Sequence, residues 1–98
     1  MATRSTYIVT YDIKDEKRLI RIFRKMRGYG NRLQYSVFIC KLSEIEKTEM
    51  IIELMDIMRT DEDSLIIVDL GVSVNAAENR MKFIGAKPDL ESEEVMVV

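Results

Sequence analysis

Histidine and tryptophan are absent from this chain of 98 residues, and cysteine and proline each occur once. Without histidine, the chain lacks the Ser-His-Asp and Cys-His nucleophile arrangements, the usual zinc sites and the commonest general base. Any catalysis must therefore use carboxylates, lysine, arginine, tyrosine or hydroxyl groups. Any bound metal should be a hard ion that prefers oxygen ligands, such as Mg²⁺ or Mn²⁺. Cys40 has no partner for an internal disulfide, and we interpret it as a small buried hydrophobe.

Long apolar segments are also missing. The longest purely apolar runs have four residues, as in Leu65–Val68, whereas a membrane-spanning helix needs about 20. The first residues contain no apolar stretch of the kind that a signal peptide requires. A composition of 47% hydrophobic and 33% charged residues can form a packed core and argues against disorder. We therefore expect residues 1–98 to form one soluble cytoplasmic domain that has no membrane partner.

Charge is distributed unevenly along the chain, although the net charge is only −2. Residues 1–32 carry nine Lys/Arg against three Asp/Glu, and residues 33–98 carry six against fourteen. The basic residues concentrate in one stretch that contains Lys14, Lys17, Arg18, Arg21, Arg24, Lys25, Arg27 and Arg32. Such a patch can attract phosphates even on an acidic protein, because the field near a surface is local and screened. The alternative is a helix face that lysine and arginine keep hydrated.

The first part of the chain predicts a strand followed by an amphipathic helix. Thr6–Ile13 is rich in β-branched and aromatic residues, which is typical of a buried strand. From Asp15 to Gly28 apolar residues recur at helical spacing, with acidic residues at the start and glycine at the end. The apolar seam of this helix comprises Leu19, Ile22, Phe23 and Met26. The opposite face carries Arg18, Arg21 and Lys25.

The middle of the chain predicts a long strand, a second helix and another strand. Arg32–Leu42 alternates as a strand does but is long for one, and a bulge or tight bend near Ser36 would divide it. Ser43 and Glu46 form the pattern of a capping box at the start of a helix that runs to about Arg59. One face of that helix carries Ile45, Ile52, Met55 and Met58, which we expect to be its packing face. Leu65–Leu70 predicts a further buried strand.

The C-terminal part gives weaker signals, with a short strand predicted at Arg80–Ile84 and a strand-like tail at Val95–Val98. The whole order is β-α-β(β)-α-β with a C-terminal strand added. It predicts an α+β, ferredoxin-like βαββαβ sandwich in which two helices cover one face of an antiparallel sheet. The other sheet face then needs a cover, and a second copy of the chain is the simplest one, so we expect a homodimer.

Asp12 is the most informative single residue, because it ends an apolar strand just before the basic helix. It either presents a carboxylate to a ligand, or caps the helix or pairs with a neighbouring lysine. Asp69 offers a second carboxylate on a strand, but a satisfied aspartate at the sheet edge explains it better. The acidic cluster at residues 61–63 is explained by a turn, and we do not interpret it as a metal site.

Four aromatic side chains are candidates for stacking on nucleic-acid bases. They are Tyr7, Tyr11, Tyr35 and Phe38. Residues of this kind more often fill a core or an interface, and for Tyr7 and Tyr35 we favour that interpretation.

Three stretches together resemble one family: Tyr11-Asp12-Ile13, the basic helix that ends at Gly28-Tyr29-Gly30, and Arg32–Phe38 (Arg-Leu-Gln-Tyr-Ser-Val-Phe). The chain is similar to the small CRISPR-associated adaptation proteins, the second of the two universal Cas families. The turn at residues 61–64 and the strand after it also match. The resemblance implies a ferredoxin-like homodimer in which the C-terminal strand adds to the partner's sheet. Members of the family are described as Mg²⁺-dependent endonucleases on RNA or double-stranded DNA, and as bridging partners of the CRISPR integrase.

The resemblance also implies site residues. The aspartate at the strand end faces its mate across the dimer axis in the family, and the two hold a metal ion; here that residue is Asp12. The neighbouring Tyr11 matches the family's Tyr-Asp pair. The remaining residues that the resemblance ties to activity are Arg18, Arg21, Arg32, Ser36 and Phe38. Two carboxylates alone make a metal-poor site, which leaves a non-catalytic bridging role, or a regulatory ferredoxin-like domain, as alternative functions.

Overall fold

Strands and helices alternate in the predicted order along the computed structural model, which describes residues 3–72 and 79–86. The elements are β1 (Ser5–Asp12), α1 (Glu16–Met26), β2 (Gly30–Gln34), β3 (Val37–Leu42), α2 (Glu44–Ile57) and β4 (Ser64–Asp69). The ferredoxin-like βαββαβ order is therefore confirmed. Every helix among the described residues is too short or too polar to span a membrane.

The four strands form an antiparallel sheet in the order β2-β3-β1-β4. The predicted division of the long strand near Ser36 is confirmed, because β2 and β3 are separate strands joined by a turn at residues 35–36. Their register shifts between Arg32 and Gln34, as at a β-bulge. This turn lies beside the end of β1, where Asp12 is found.

Helix capping follows the local sequence. The carboxylate of Asp15, the N-cap of α1, accepts a hydrogen bond from the backbone N–H of Arg18 at 2.9 Å. At α2 the predicted capping box is confirmed: the Ser43 N–H donates to Glu46 at 2.8 Å, and the Glu46 N–H donates to the Ser43 hydroxyl at 3.2 Å. Each cap satisfies N–H groups that have no partner within the helix.

The core lies between the helices and one face of the sheet. Its buried side chains come from β1, β3 and both helices: Tyr7, Val9, Tyr11, Ile22, Phe23, Met26, Phe38, Cys40, Leu42, Met50, Leu54 and Ile57. The predicted burial of Cys40 is confirmed. Because strand side chains alternate between faces, the neighbours of the β1 core residues, Ile8, Thr10 and Asp12, point to the sheet face that carries no helix. On the same face, Ile66 of β4 pairs with Thr10 and Val68 pairs with Ile8, and both β4 side chains are exposed.

Three predictions about packing and secondary structure were wrong. The strand predicted at Leu65–Leu70 forms as β4 but is not buried, because β4 lies at the edge of the sheet and each of its residues is half-buried or exposed. The expected packing face of α2 is largely exposed at Ile45, Ile52 and Met55, and the helix instead packs through the seam of Met50, Leu54 and Ile57. Apolar residues occur around most of α2, so helical spacing alone could not choose between the two faces. The strand predicted at Arg80–Ile84 is absent: residues 79–80 are helical and residues 81–84 are irregular. The predicted strand at Val95–Val98 lies outside the described residues.

Candidate active site

A cleft of about 280 Å³ lies where β1 ends and the β2–β3 turn passes it. Its lining residues are Tyr11, Asp12, Ile13, Leu19, Phe23, Tyr35 and Ser36. Three of the residues singled out from the sequence, Tyr11, Asp12 and Ser36, are therefore brought together. The cleft combines one carboxylate with aromatic walls.

Asp12 presents its carboxylate to solvent, with 66% of the side chain exposed. It does not cap α1, because Asp15 has that position. Its partner is the Lys14 ammonium, 2.8 Å from Asp12 Oδ2, and this hydrogen bond raises the pKa of Lys14. An exposed ion pair of this kind contributes little to stability and is easily opened. The carboxylate is thus available to a competing cation.

Asp12 is a suitable type of ligand for a hard cation, because Mg²⁺ and Mn²⁺ prefer carboxylate oxygens. The described residues, however, supply too few carboxylates near Asp12 to hold such a cation. Among the described residues, no group of three or more acidic side chains could hold a metal ion. Asp69 is engaged at its own strand end, where its Oδ1 accepts from the Gly71 N–H at 2.7 Å. A metal site at Asp12 therefore requires a further carboxylate from outside the described residues.

Tyr11 anchors the β2–β3 turn to β1. Its backbone N–H donates to the carbonyl of Ser36 at 3.1 Å, and its hydroxyl donates to the carbonyl of Tyr35 at 3.4 Å. Burial raises the pKa of Tyr11 to about 12, although the charge of Arg32 acts in the opposite direction. The hydroxyl therefore stays protonated at neutral pH, which suits a hydrogen-bond donor and excludes a general base.

Arg32 lies between two aromatic rings. Its guanidinium carbon is 5.0 Å from the ring centre of Phe23 and 4.7 Å from that of Tyr35. Its Nη1 is buried and has no hydrogen-bond partner in the described part of the chain. Phe38 lies beneath, fully buried, with its ring centre 6.3 Å from that of Tyr11 and 5.9 Å from that of Phe23. Phe38 therefore supports the cleft by packing and is not exposed to a ligand.

Arg18 lies away from the cleft, in an ion-pair cluster. Its Nε donates to Asp63 Oδ2 at 2.8 Å, and its Nη2 donates to Glu62 at 2.9 Å. The buried Asp63 carboxylate also accepts from the backbone N–H groups of Lys14 and Arg59, both at 2.9 Å. These contacts, above all the hydrogen bond from Arg18, hold the pKa of Asp63 well below its usual range. The cluster joins the loop after β1 to the loop before β4, so the Arg18 guanidinium is already occupied by carboxylates.

Arg21 also lies outside the cleft, in a wider groove of about 610 Å³ between α1 and α2. Arg24 and Lys25 line the same groove. Lys25 is 3.8 Å from Glu53, whereas Arg21 and Arg24 form no ion pair with any residue of the described ranges. These two exposed arginines are therefore free to bind anions.

Sequence reasoning missed two features. Asp63 was interpreted as a turn residue, and no local signal connects it with Arg18, which lies 45 positions away. Tyr35 is 78% exposed in the single chain and so is not a core residue, and its place in an interface stays a prediction, whereas the expected burial of Tyr7 is confirmed. The bend predicted near Ser36 was the usable signal, because it places Tyr35 in a turn.

Comparisons with known proteins point to one family. Residues 5–76 match the family model described as CRISPR associated protein Cas2. The CRISPR-associated endoribonuclease Cas2 of Geobacter sulfurreducens is 42% identical over 69 residues, which cover 70% of this chain and 73% of that protein. The CRISPR-associated endonuclease Cas2 of Halalkalibacterium halodurans is 32% identical over 95 residues, which cover 92% of this chain and 96% of that protein.

Solved structures are similar to this chain in fold. Streptococcus pyogenes Cas2 superposes with a TM-score of 0.69 at 27% identity, over 82% of this chain and 99% of that one. A hypothetical protein from Thermus thermophilus, TT1823, superposes with a TM-score of 0.75 at 27% identity, over 90% of this chain and 99% of that one. The family model spans most of the chain, including the end of β1, the β2–β3 turn and β4. This chain belongs to the Cas2 family of CRISPR-associated proteins.

Proposed function

We propose that this protein is a cytoplasmic homodimer that binds nucleic acid in CRISPR adaptation and hydrolyses phosphodiester bonds of RNA or double-stranded DNA with Mg²⁺. The observation that carries the proposal is the position of Asp12, an exposed carboxylate that ends β1 at the rim of the cleft and points to the open sheet face. The names of the relatives, endoribonuclease and endonuclease, support the same activity.

Homodimerisation would supply the second carboxylate that the described residues do not bring to Asp12. Apolar side chains of the open sheet face, among them Ile8, Ile66 and Val68, favour burial against a second copy. Asp12 lies on that face, so two-fold symmetry can place two Asp12 carboxylates near one axis. A pair of carboxylates is a minimal ligand set for Mg²⁺, with Mn²⁺ as a substitute.

The side chains around Asp12 then have separate roles. Asp12 and its symmetry mate would hold the metal, which when bound activates water and neutralises charge on the phosphate. Lys14 neutralises Asp12 until a cation replaces it. The Arg32 guanidinium lies over the ring of Tyr35, a lining residue of the cleft, where its positive charge favours a phosphate nearby. Tyr11 keeps the β2–β3 turn, with Ser36, in place against β1.

A second candidate function is a bridging dimer between integrase subunits and DNA that does not cleave. No group of three or more acidic side chains among the described residues could hold a metal ion, and two carboxylates make a metal-poor site, which favours this function. Both candidates share the dimer and the basic surface, and only the nuclease requires Asp12. A regulatory ferredoxin-like domain is a third class, and it would be favoured if the dimer bound no nucleic acid at low salt.

Asp12→Asn tests the nuclease. The change keeps the shape of the side chain and removes two formal charges from each dimer. We expect Mg²⁺-dependent cleavage of RNA or duplex DNA to be abolished, while binding and dimer mass are retained. A chelator should abolish wild-type cleavage, and Mn²⁺ should restore it. Cleavage is followed on labelled RNA and duplex DNA.

Asp15→Asn is the matched control, because it removes a carboxylate three residues away. Asparagine caps a helix about as well as aspartate, so this variant should cleave as the wild type does. Cleavage by Asp12→Asn at the wild-type rate would refute the metal site and favour the bridging function.

A further inference from the structure

The outer face of α2 carries an apolar stripe that the fold leaves exposed. Ile45, Ile52 and Met55 are 69%, 62% and 54% exposed, whereas Leu54 on the opposite side of the helix is buried in the core. Together with Thr48 they form the outer stripe, whose members are spaced by three, four and three positions. This is the spacing by which one helix packs along another. Single exposed apolar residues need no explanation, but a continuous row of them indicates a contact surface.

The outer stripe lies on a helix that is already fixed in place. The capping box of Ser43 and Glu46 secures the first turn of α2, and the opposite side of the helix packs in the core. The Thr48 hydroxyl donates to the carbonyl of Glu44 at 3.0 Å, so its polar group is satisfied within the helix. A partner would therefore meet a preformed surface of about three helical turns and would not have to order it.

Acidic side chains border the outer stripe. Glu49 and Asp56 each follow a stripe residue on one side, and Glu44 precedes the stripe on the other. Glu49 and Asp56 are exposed and form no ion pair with any residue of the described ranges. The whole helix carries five acidic residues against one basic residue, Lys47. In helix pairs, charges at such bordering positions decide which partner is accepted. The outer stripe therefore favours a positively charged partner.

The same charge disfavours other occupants, because like charges at an interface repel. A second copy of α2 would bring its own acidic border. Residues 87–98 of this chain contain four acidic residues and one lysine. Nucleic acids and anionic membranes are negatively charged as well. The outer stripe also stays accessible in a dimer formed through the open sheet face, because α2 covers the other face of the sheet. A basic helix of another protein is the complementary occupant.

We propose that the outer stripe of α2 docks an amphipathic helix of a partner protein, in which apolar residues at helical spacing are bordered by lysine or arginine. The apolar side chains of that helix would cover the outer stripe, and its basic side chains would pair with Glu49 and Asp56. The inference goes beyond the proposed function, because it requires neither the Asp12 carboxylate nor a bound nucleic acid. A homodimer would carry two such sites.

Synthetic helices of three heptads test this surface on the intact chain. One labelled peptide has leucine at the a and d positions and lysine at e and g. A second has glutamate at e and g, and a third keeps the lysines but has serine at a and d. Like charges at e and g keep each peptide from pairing with itself. By fluorescence anisotropy, we expect the wild type to bind the leucine–lysine peptide at least about tenfold more tightly than either of the others.

Variants of α2 assign the binding to the outer stripe. Ile52→Lys should weaken binding of the leucine–lysine peptide by about tenfold or more, because the contact loses a buried isoleucine and gains a like charge. The double change Glu49→Lys with Asp56→Lys should reverse the preference, so that the leucine–glutamate peptide binds more tightly. Ile84→Lys is the matched control, since Ile84 is an exposed apolar residue outside α2. It should leave all three affinities unchanged.

Several results would overturn the docking surface. A leucine–lysine peptide that binds no better than the serine peptide would do so, as would an unchanged affinity in Ile52→Lys or an unchanged preference in the double variant. Assemblies larger than a dimer that Ile52→Lys reduces to dimers would assign the outer stripe to a second copy instead. Tighter peptide binding after Val95→Ser with Val97→Ser would assign it to residues 87–98. None of these results concerns cleavage or nucleic-acid binding, so they leave the proposed function intact.

Discussion

At the scale of single residues, burial and ion pairing separate groups that look equivalent in the sequence. Asp12 and Asp63 both adjoin a strand, but Asp12 is exposed beside one lysine, whereas Asp63 is buried and accepts from four donor groups. An exposed carboxylate can exchange partners, and a buried one of this kind cannot do so without breaking its network. Asp12 therefore suits a ligand, and Asp63 suits structural support.

The structural role of Asp63 predicts a pH dependence of stability. Its pKa is lower in the folded protein than the ordinary value of 3.8, so the carboxylate stabilises the fold fully above that value. The stabilisation is lost as the pH falls toward the lower folded-state pKa. We expect Asp63→Asn to lower the free energy of unfolding at neutral pH, by an amount that shrinks on acidification. Urea unfolding across a pH series measures this.

Asp61→Asn provides the comparison on the same turn. Asp61 is exposed, and within the described ranges its one ion pair is a long contact of 3.4 Å with Arg59, so its removal should change stability little at any pH. If Asp61→Asn and Asp63→Asn lost equal stability, the buried cluster would not be the cause.

At the scale of elements, α1 divides its basic residues between two functions. Arg18 turns toward the 62–63 segment and is neutralised there, whereas Arg21 and Arg24 remain unpaired among the described residues, beside the groove toward α2. Arginines of the same helix therefore have different roles: Arg18 stabilises the fold, whereas Arg21 and Arg24 are available to bind phosphates. The sequence pattern alone did not separate these positions.

This division predicts different effects of two arginine substitutions. Arg21→Ala should weaken binding of RNA and duplex DNA alike, and it should reduce the salt slope of the logarithm of affinity by about 1. Arg18→Ala should lower the melting temperature and leave the salt slope of the folded protein unchanged. Fluorescence titrations at several salt concentrations measure the slopes. An Arg21→Ala slope equal to that of the wild type would exclude Arg21 as a phosphate contact.

At the scale of the whole molecule, the sheet separates two environments. The helices cover one face and form the core, and the other face leaves Ile66 and Val68 of β4 exposed together with Asp12. Apolar groups in such a position favour association, because burial of their surface releases water. Dimerisation through this face would complete the site and cover the sheet in one step.

The sheet-face dimer predicts that a charge on this face separates the protomers. Ile66→Lys should reduce the mass measured by light scattering toward that of one chain, because it would bury an unpaired charge at the interface. Ile52→Lys introduces the same charge at an equally exposed position on α2 and should leave the mass unchanged. A dimeric Ile66→Lys protein with an unchanged dissociation constant would exclude this face as the interface.

Local features of the chain were predictable because they depend on neighbours in sequence. The strand at β1, the capping box of Ser43 and Glu46, the bend near Ser36 and the ferredoxin-like order all follow from spacing and residue type within a few positions. The lack of histidine likewise limited the chemistry to oxygen ligands and basic side chains. The residues that adjoin Asp12 along the chain, Tyr11 and Lys14, could be named for the same reason.

Tertiary structure decided the features that depend on distant elements. The ion pair of Arg18 with Asp63 joins two loops that meet only when the sheet forms. The packing face of α2 was chosen by the fit of Leu54 and its neighbours against the core, since both sides of the helix are apolar. Tyr35 is exposed because the turn projects it past the end of β1. Periodicity and capping act over a few residues, whereas packing and buried charge pairs depend on which surfaces the complete fold brings together.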